Sequence, residues 1–226
     1  MTSAATLKRL AKLKQKKYRE VEHLFLAEGS YFVEEAGMPP VYLIADPDAV
    51  RRLSTLTTLT GPVAVFPFLD VSHEALLNLR DRIVLLHGVQ DPGNVGTVVR
   101  AAHAFGAGVA LTRSTADLYN PKTVRATMGS IFHAPVSREL NAQKFLALSH
   151  ASGFETVAAV PRGGDPPGSL SAGKLVIVVG AEGSGLPEEV VAVCSRQVTI
   201  PALAASLNAA VAASILLYEA YMRVLR

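Results

Sequence analysis

The segment Lys174–Arg226, KLVIVVGAEGSGLPEEVVAVCSRQVTIPALAASLNAAVAASILLYEAYMRVLR, predicts how the fold is organised. Its apolar, β-branched runs at 175–179 and 197–200 are typical of short buried strands. The first run leads into Gly180, Gly183 and Gly185, which permit positive φ angles and a close approach of backbone N–H groups to a ligand. These glycines indicate either a binding site at the carboxyl end of a strand or an ordinary turn.

A long apolar helix is expected after the second strand. Ser206 is its predicted N-cap, and the helix should run to about Arg223. Because it is apolar on nearly all sides, it needs cover from its own sheet and from a second copy of the chain. Residues 197–218 carry no charge, but Pro201, Asn208 and many alanines argue against a membrane span.

The composition indicates two α/β units in a reducing compartment. A length of 226 residues suits one full domain and one small domain, predicted at 72–226 and 1–71. The single cysteine, Cys194, excludes a disulfide framework and fits the cytoplasm. Its apolar neighbours favour a buried thiol over a nucleophile. The six histidines form no ligand cluster in the sequence, so no metal is expected.

The amino-terminal end is strongly basic. Residues 1–20 carry seven Lys and Arg side chains against one acid, although the whole chain has a formal net charge of only +3. Leu7, Leu10 and Leu13 recur near helical spacing, which predicts a basic amphipathic helix over 6–17. This block indicates either a face that binds nucleic acid or a solvated tail.

A second glycine-containing loop follows the predicted strand 82–87. Gly88 and Gly93 have the spacing of a phosphate-binding loop, but Asn94 and Val95 replace its Lys-Ser pair, which excludes that kind of nucleotide site. Asn94 is the expected N-cap of the next helix. Arg100 projects from the polar side of this helix, just beyond the end of a strand, where α/β sheets bind their ligands.

Three segments, in this order, resemble motifs of the SpoU-type RNA ribose methyltransferases of the SPOUT superfamily. They are DPGNVGTVVRAA at 91–102, VGAEGSGL at 179–186, and Ile200-Pro201 followed by Ser206-Leu207-Asn208. Residues 124–130, VRATMGS, are also similar to the family, and the resemblance covers roughly residues 80–222. More loosely, residues 6–66 resemble a small RNA-binding domain of the ribosomal-protein type.

The resemblance implies an α/β fold with a carboxyl-terminal trefoil knot, S-adenosyl-L-methionine as the cofactor, and a homodimer formed through the knot region. It implies methylation of a ribose 2′-oxygen of RNA, with ribosomal RNA favoured over transfer RNA. The alternative is a non-catalytic RNA-binding or assembly protein on the same scaffold, because the loop at 202–205 is shorter than the family's.

By motif, the resemblance assigns the cofactor pocket to Gly180, Ile200 and Leu207. It assigns the polar catalytic set to Asn94, Arg100, Glu182, Ser206 and Asn208. A guanidinium essentially never loses its proton, so Arg100 is expected to stabilise the developing alkoxide and hold a phosphate. Asn94 and Asn208 should orient the ribose and the loops, and Glu182 should fix Arg100 or the turn. A structural role for Glu182, Ser206 and Asn208 is the alternative.

Overall fold

Two sheets and their covering helices make up the protein, and the computed structural model describes residues 2–225. The elements in chain order are α1 (Ala4–Ala11), α2 (Lys16–Glu22), β1 (Leu24–Glu28), α3 (Ser30–Glu35), β2 (Tyr42–Ile44), α4 (Pro47–Leu53), β3 (Val63–Pro67), α5 (His73–Leu79), β4 (Arg82–His87), α6 (Pro92–Ala104), β5 (Gly108–Thr112), α7 (Pro121–Ala126), β6 (Val136–Leu140), α8 (Ala142–Ala151), β7 (Glu155–Ala159), β8 (Leu175–Gly180), α9 (Glu188–Val191), β9 (Arg196–Val198) and α10 (Ala209–Leu225).

The small sheet has the strand order β1-β3-β2, and both pairings are antiparallel. One face packs against the amino-terminal helices, so that Leu10 and Leu13 are buried beside Leu26. The opposite face presents Phe25 and Phe66, which pair across β1 and β3. Because side chains alternate along a strand, this sheet is apolar on both faces and needs a cover on each.

The large sheet has the order β6-β5-β4-β8-β7-β9, and every pairing is parallel. Helices α5 and α8 bury one face, and α6, α7 and α10 bury the other. Such a doubly covered parallel sheet explains why residues 83–86 of β4 and 175–179 of β8 are continuous apolar runs. The order brings the carboxyl ends of β7, β8 and β9 side by side, which positions the site described below.

An aromatic core joins the two sheets. The ring of Tyr119 stacks on Phe25 of the small sheet, with centroids 4.8 Å apart, and on Phe68 of the connecting segment, 4.0 Å away. The Tyr119 hydroxyl donates to Asp70 Oδ1 at 2.8 Å and accepts from the Leu69 N–H at 2.6 Å. The segment between the sheets is therefore held in place by buried contacts.

Ion pairs across the same junction use part of the basic block. Arg19 is 2% exposed and pairs with Asp117 of the large unit. Lys16 pairs with Glu139 at 3.0 Å, and Arg138 pairs with Glu20 at 2.7 Å. The block is thus neither a uniform nucleic-acid face nor a solvated tail, because two of its cations dock the small unit against the large one.

The single helix expected over 6–17 is wrong. Helix α1 ends at Ala11, a 3-10 turn follows at Lys12–Lys14, and Gln15 is extended before α2. The break lets Leu13 pack under the sheet while the Arg19 guanidinium donates to the Leu13 carbonyl at 2.7 Å. Tertiary packing therefore outweighs the helical spacing of the leucines.

Two predicted N-caps are also wrong. The cap of α6 is Asp91, whose carboxylate accepts from the Gly93 N–H at 2.6 Å, and Asn94 lies inside the helix. Pro92 takes the first helical position, where its missing N–H costs nothing. The cap of α10 is Asn208, because the backbone from 201 to 208 stays non-helical and Ser206 remains exposed.

The segment after β7 lies along β9. The Val160 N–H donates to the Val198 carbonyl at 2.9 Å, and the Thr199 N–H donates to the Asp165 carbonyl at 2.9 Å. A Cβ on Gly164 would lie 2.7 Å from the Val198 carbonyl carbon, so only glycine fits there. Among the helices of residues 2–225, none combines the length and the apolarity that crossing a membrane requires.

Candidate active site

A cavity of about 340 Å³ lies at the carboxyl ends of β7, β8 and β9. Most of its wall comes from two loops, at 180–186 and 202–207, together with apolar residues that end the three strands. The cavity is lined by five of the residues that the motifs single out, namely Gly180, Glu182, Ile200, Ser206 and Leu207. The shortened loop at 202–205 also reaches the cavity, through three of its alanines.

The loop after β8 can form only because residue 180 is glycine. The backbone folds back so tightly that a Cβ on Gly180 would lie 2.3 Å from the carbonyl carbon of Gly185. Gly185 has φ +67°, and its N–H closes the turn by donating to the Ala181 carbonyl at 2.9 Å. These glycines form a tight turn, and the turn itself is one wall of the cavity. The expectation of a turn and the expectation of a binding site are therefore compatible.

Three side chains from distant parts of the sequence meet at this loop. Oδ1 of Asn208 accepts from the N–H groups of Ala210 and Val211 at 2.9 and 3.2 Å, which fixes the orientation of the amide. Its Nδ2 therefore faces Asn94 and donates to the Asn94 Oδ1 at 3.2 Å. The Asn94 Nδ2 in turn donates to the Glu182 carboxylate. Helix α6, the loop after β8 and the start of α10 are joined by this one network.

The remaining two members of the predicted polar set stand apart. Ser206 lines the cavity but makes no side-chain hydrogen bond within residues 2–225. Arg100 is exposed, does not line the cavity, and has no hydrogen-bond or ion-pair partner in the same described range. It follows Asn94 by six residues on α6, which places it about 9 Å further along the helix axis. The Glu182 carboxylate accepts a hydrogen bond from Asn94, and it accepts none from Arg100, which is one of its expected partners.

The cap of α6 places a fixed charge next to Asn94. The pKa of the Asp91 carboxyl is lowered, first because it accepts from the Gly93 N–H and second because Lys122 donates to it at 3.1 Å. The carboxylate is therefore ionised at neutral pH. Sequence reasoning missed both Asp91 and Lys122, although an Asp-Pro pair ahead of an apolar stripe is a signal for the start of a helix.

Cys194 has no features of a nucleophile. Burial raises the pKa of its thiol to about 11, and the Sγ lies 3.3 Å from the Val190 carbonyl oxygen. A thiol of this kind stays protonated and unreactive at neutral pH. Within residues 2–225, no group of three or more His, Cys, Asp or Glu side chains is placed to hold a metal ion.

Comparisons with known proteins identify the family. Residues 81–218 match the model of the SpoU rRNA Methylase family, and residues 4–82 match that of the MRM3-like substrate binding domain. The chain is 32% identical to the 23S rRNA (guanosine(2553)-2'-O)-methyltransferase RlmP of Bacillus subtilis, over 92% of both chains.

Solved structures resemble the whole chain. The AdoMet-bound rRNA methyltransferase from Sinorhizobium meliloti has a TM-score of 0.88 and 28% identity, covering 100% of this chain and 98% of that one. The SpoU methyltransferase AviRb from Streptomyces viridochromogenes, in complex with AdoMet, has a TM-score of 0.86 and 26% identity, covering 99% of both chains. From the family match and the similarity to its members, the chain belongs to the SpoU rRNA methylase family.

Proposed function

We propose that the protein transfers a methyl group from S-adenosyl-L-methionine to a ribose 2′-hydroxyl of ribosomal RNA. The observation that carries this proposal is the network of Asn94, Glu182 and Asn208, which joins the three motif segments beside one cavity. Ribosomal RNA is favoured over transfer RNA because the matched family and the relative from Bacillus subtilis are both named as rRNA methylases.

The cavity suits the cofactor chemically. Val160, Leu186 and Ile200 give it apolar surface for a purine ring, and the Gly180 turn leaves backbone groups uncovered by side chains. S-adenosylmethionine supplies a sulfonium-bound methyl group, so the transfer needs no metal. When bound, the cofactor would give that methyl group to the ribose oxygen and become the neutral thioether, while the hydroxyl proton would pass to solvent.

The polar residues have separate roles in this reaction. Asn94, held between Glu182 and Asn208, is placed to orient the ribose at the edge of the cavity. The Arg100 guanidinium stabilises the alkoxide that develops on the 2′-oxygen and binds an adjacent phosphate. Ser206 and the backbone of Leu207 contribute to the wall that holds the cofactor.

The position of Arg100 supports a homodimer. The residue lies on the exposed side of α6, away from the cavity of its own copy, while Val211 and Tyr218 leave apolar surface uncovered on α10. Pairing two copies through α6 and α10 covers this surface and offers Arg100 to the cavity of the second copy. In a twofold dimer both cavities are completed in the same way.

The domain assignment, the knot and the location in the cell belong to the same proposal. Residues 1–71 form the RNA-binding domain, and residues 72–226 form the methyltransferase domain. Support for a trefoil knot comes from the segment after β7, which lies along β9 and crowds Gly164 against Val198. A ribosomal RNA substrate and a single, half-buried cysteine, Cys194, fit the cytoplasm.

Methyl-labelled cofactor tests the substrate directly. The protein is incubated with it and with unmodified ribosomal RNA or transfer RNA in parallel, and incorporation is measured in each. We expect label in ribosomal RNA alone. Label in transfer RNA alone would contradict the assigned substrate, and no incorporation together with no cofactor binding by calorimetry would favour the non-catalytic alternative.

A further inference from the structure

A series of neighbouring polar side chains leads from the start of α6 to the small sheet along α7. The series begins at Lys122. The aliphatic part of its side chain lies over the start of α6, because a Cβ built on Gly93 would be 3.9 Å from the Lys122 Cε. Gly93 immediately precedes Asn94. The Lys122 ammonium donates one hydrogen bond to Asp91 at 3.1 Å, so two of its three N–H bonds remain for another partner.

Arg125 continues the series one turn further along α7. Residues three apart on a helix are neighbours, with about 5–6 Å between their Cβ atoms. Nη1 of Arg125 donates to Thr55 Oγ1 at 2.7 Å and to Glu28 Oε1 at 3.4 Å, which holds the side chain in place. Its Nε and Nη2 have no partner among residues 2–225. The guanidinium is thus positioned but only partly used.

The small domain extends the series beyond Arg125. Thr55 belongs to an exposed loop that follows α4, and the exposed Arg52 lies in the last turn of that helix. Lys14 reaches the same place, because its ammonium donates to the Arg52 carbonyl at 2.9 Å. Lys122, Arg125, Thr55, Arg52 and Lys14 together form a surface that we call the α7 track.

The exposed charge of the α7 track is positive. Glu28, the acid nearest to Arg125, is 6% exposed and already accepts from Ser54 Oγ at 2.6 Å and from the Thr55 N–H at 3.0 Å. Asp91 is exposed, but it is engaged by the cap of α6 and by Lys122. The uncompensated donors on this surface are therefore cationic or hydroxyl groups, which suit phosphate.

We propose that the α7 track binds the phosphate backbone of single-stranded RNA next to the target nucleotide. The proposal rests on the proposed function, because it assumes that the target ribose enters the cavity beside Asn94. A single strand fits better than a duplex, since a nucleotide must leave any base-paired stack to reach such a cavity. The buried junction between the sheets keeps both ends of the track at a fixed distance.

Salt-dependent binding tests the track without requiring catalysis. A fluorescein-labelled RNA of mixed sequence, about 15 nucleotides long, is titrated with the full-length protein at several salt concentrations. We expect Lys122→Gln and Arg52→Gln each to reduce the slope of log affinity against log salt by about 0.7, as for the loss of one phosphate contact on a single strand. Lys144→Gln is the matched control, because the exposed Lys144 lies on α8, across the large sheet from α7.

The outcomes distinguish a failure of the α7 track from a failure of the proposed function. An unchanged slope in Lys122→Gln and Arg52→Gln, or an equal reduction in Lys144→Gln, would overturn the track while leaving ribose methylation untouched. Cofactor affinity, measured by calorimetry, should be the same in all three variants and the parent. If Lys122→Gln loses cofactor affinity, the residue serves the cavity and the track is wrong.

Discussion

The side-chain amide of Asn208 donates to that of Asn94 at 3.2 Å, and this contact links two motifs that lie 114 residues apart in the chain. Asn208 also caps α10 through its Oδ1, so one side chain serves both the helix and the site. The two roles can be separated, because they use opposite ends of the same amide.

Asn208→Asp keeps the capping oxygen and removes the Nδ2 donor. It should leave thermal stability nearly unchanged, because Asp and Asn are similar N-caps. Methyl transfer should fall by about tenfold or more, since a carboxylate now faces the Asn94 oxygen and loosens its orientation. Asn208→Ala, in contrast, should also lower Tm by about 2–4 °C through loss of the cap. Equal stability losses in the two variants would show that the link to Asn94, not the cap, stabilises the fold.

Gly180→Ala should disrupt the loop after β8, which we propose binds the cofactor. Its Cβ would lie 2.3 Å from one backbone atom and 2.6 Å from the Leu186 nitrogen, and backbone cannot move aside cheaply. An overpacking cost of about 1–3 kcal/mol in this loop should lower cofactor affinity about fivefold to a hundredfold, as measured by calorimetry. Gly183→Ala is the control, because no heavy atom lies within 4 Å of its added Cβ. Similar affinities for the two variants would contradict the assigned pocket.

Arg100→Ala should reduce turnover by about a hundredfold or more, as for the loss of one transition-state donor, and leave cofactor affinity nearly unchanged. In the proposed dimer this residue acts on the cavity of the other copy. Mixing equal amounts of Arg100→Ala and Asn94→Ala chains, after exchange of subunits, should therefore restore activity to about a quarter of the parent value, since half of the dimers are mixed and carry one intact site. If the mixture is no more active than its parts, Arg100 does not act across the dimer.

Arg19→Met should destabilise the protein by about 3–5 kcal/mol in urea unfolding, because it leaves the buried Asp117 carboxylate without its partner. The matched control is Lys16→Met, whose pair with Glu139 is nearly half exposed on both sides and should contribute at most about 1 kcal/mol. Comparable losses in both Met variants would contradict the docking role of Arg19.

Truncation of residues 1–20 is unsuitable for measuring RNA contact, since it also removes Leu10 and Leu13 from the core.

Cys194 should titrate far above neutrality. Burial raises the pKa of its thiol from 9.0 to about 11, so the folded state binds this proton more tightly than the unfolded state does. The resulting stability is fully present below about pH 9 and is lost as the pH rises towards 11. Iodoacetamide should accordingly modify the folded protein only slowly at pH 8 and quickly after unfolding. Rapid modification of the folded protein would mean that the thiol is accessible and ionised.

The sequence predicted those features that arise from local pattern. The strands predicted at 82–87 and 175–179 are confirmed, and their buried residues show no polar alternation because the sheet is covered on both faces. The helix stripe Val95, Val98 and Val99 is likewise buried. Motif order was sufficient to indicate the family, since each motif is a local string of residues.

Features that depend on distant partners were not predictable. Nothing local in the basic block distinguishes Arg19, which pairs with Asp117, from the exposed Lys12 and Lys17. The sequence does not distinguish Ser206 from Asn208 as the N-cap of α10, because Ser and Asn are equally good caps and only the packed loop decides between them. The separation of Arg100 from the cavity depends on where α6 packs in the fold, which its own sequence does not specify.

The position of the transferred methyl group on the nucleotide tests the central proposal most directly. Ribosomal RNA methylated by the protein with labelled cofactor is hydrolysed in alkali, which cleaves beside every free 2′-hydroxyl. We predict that the label appears in alkali-resistant dinucleotides, and that Arg100→Ala lowers its rate of appearance there by about a hundredfold or more. Label recovered in mononucleotides would place the methyl group on a base and would contradict ribose methylation.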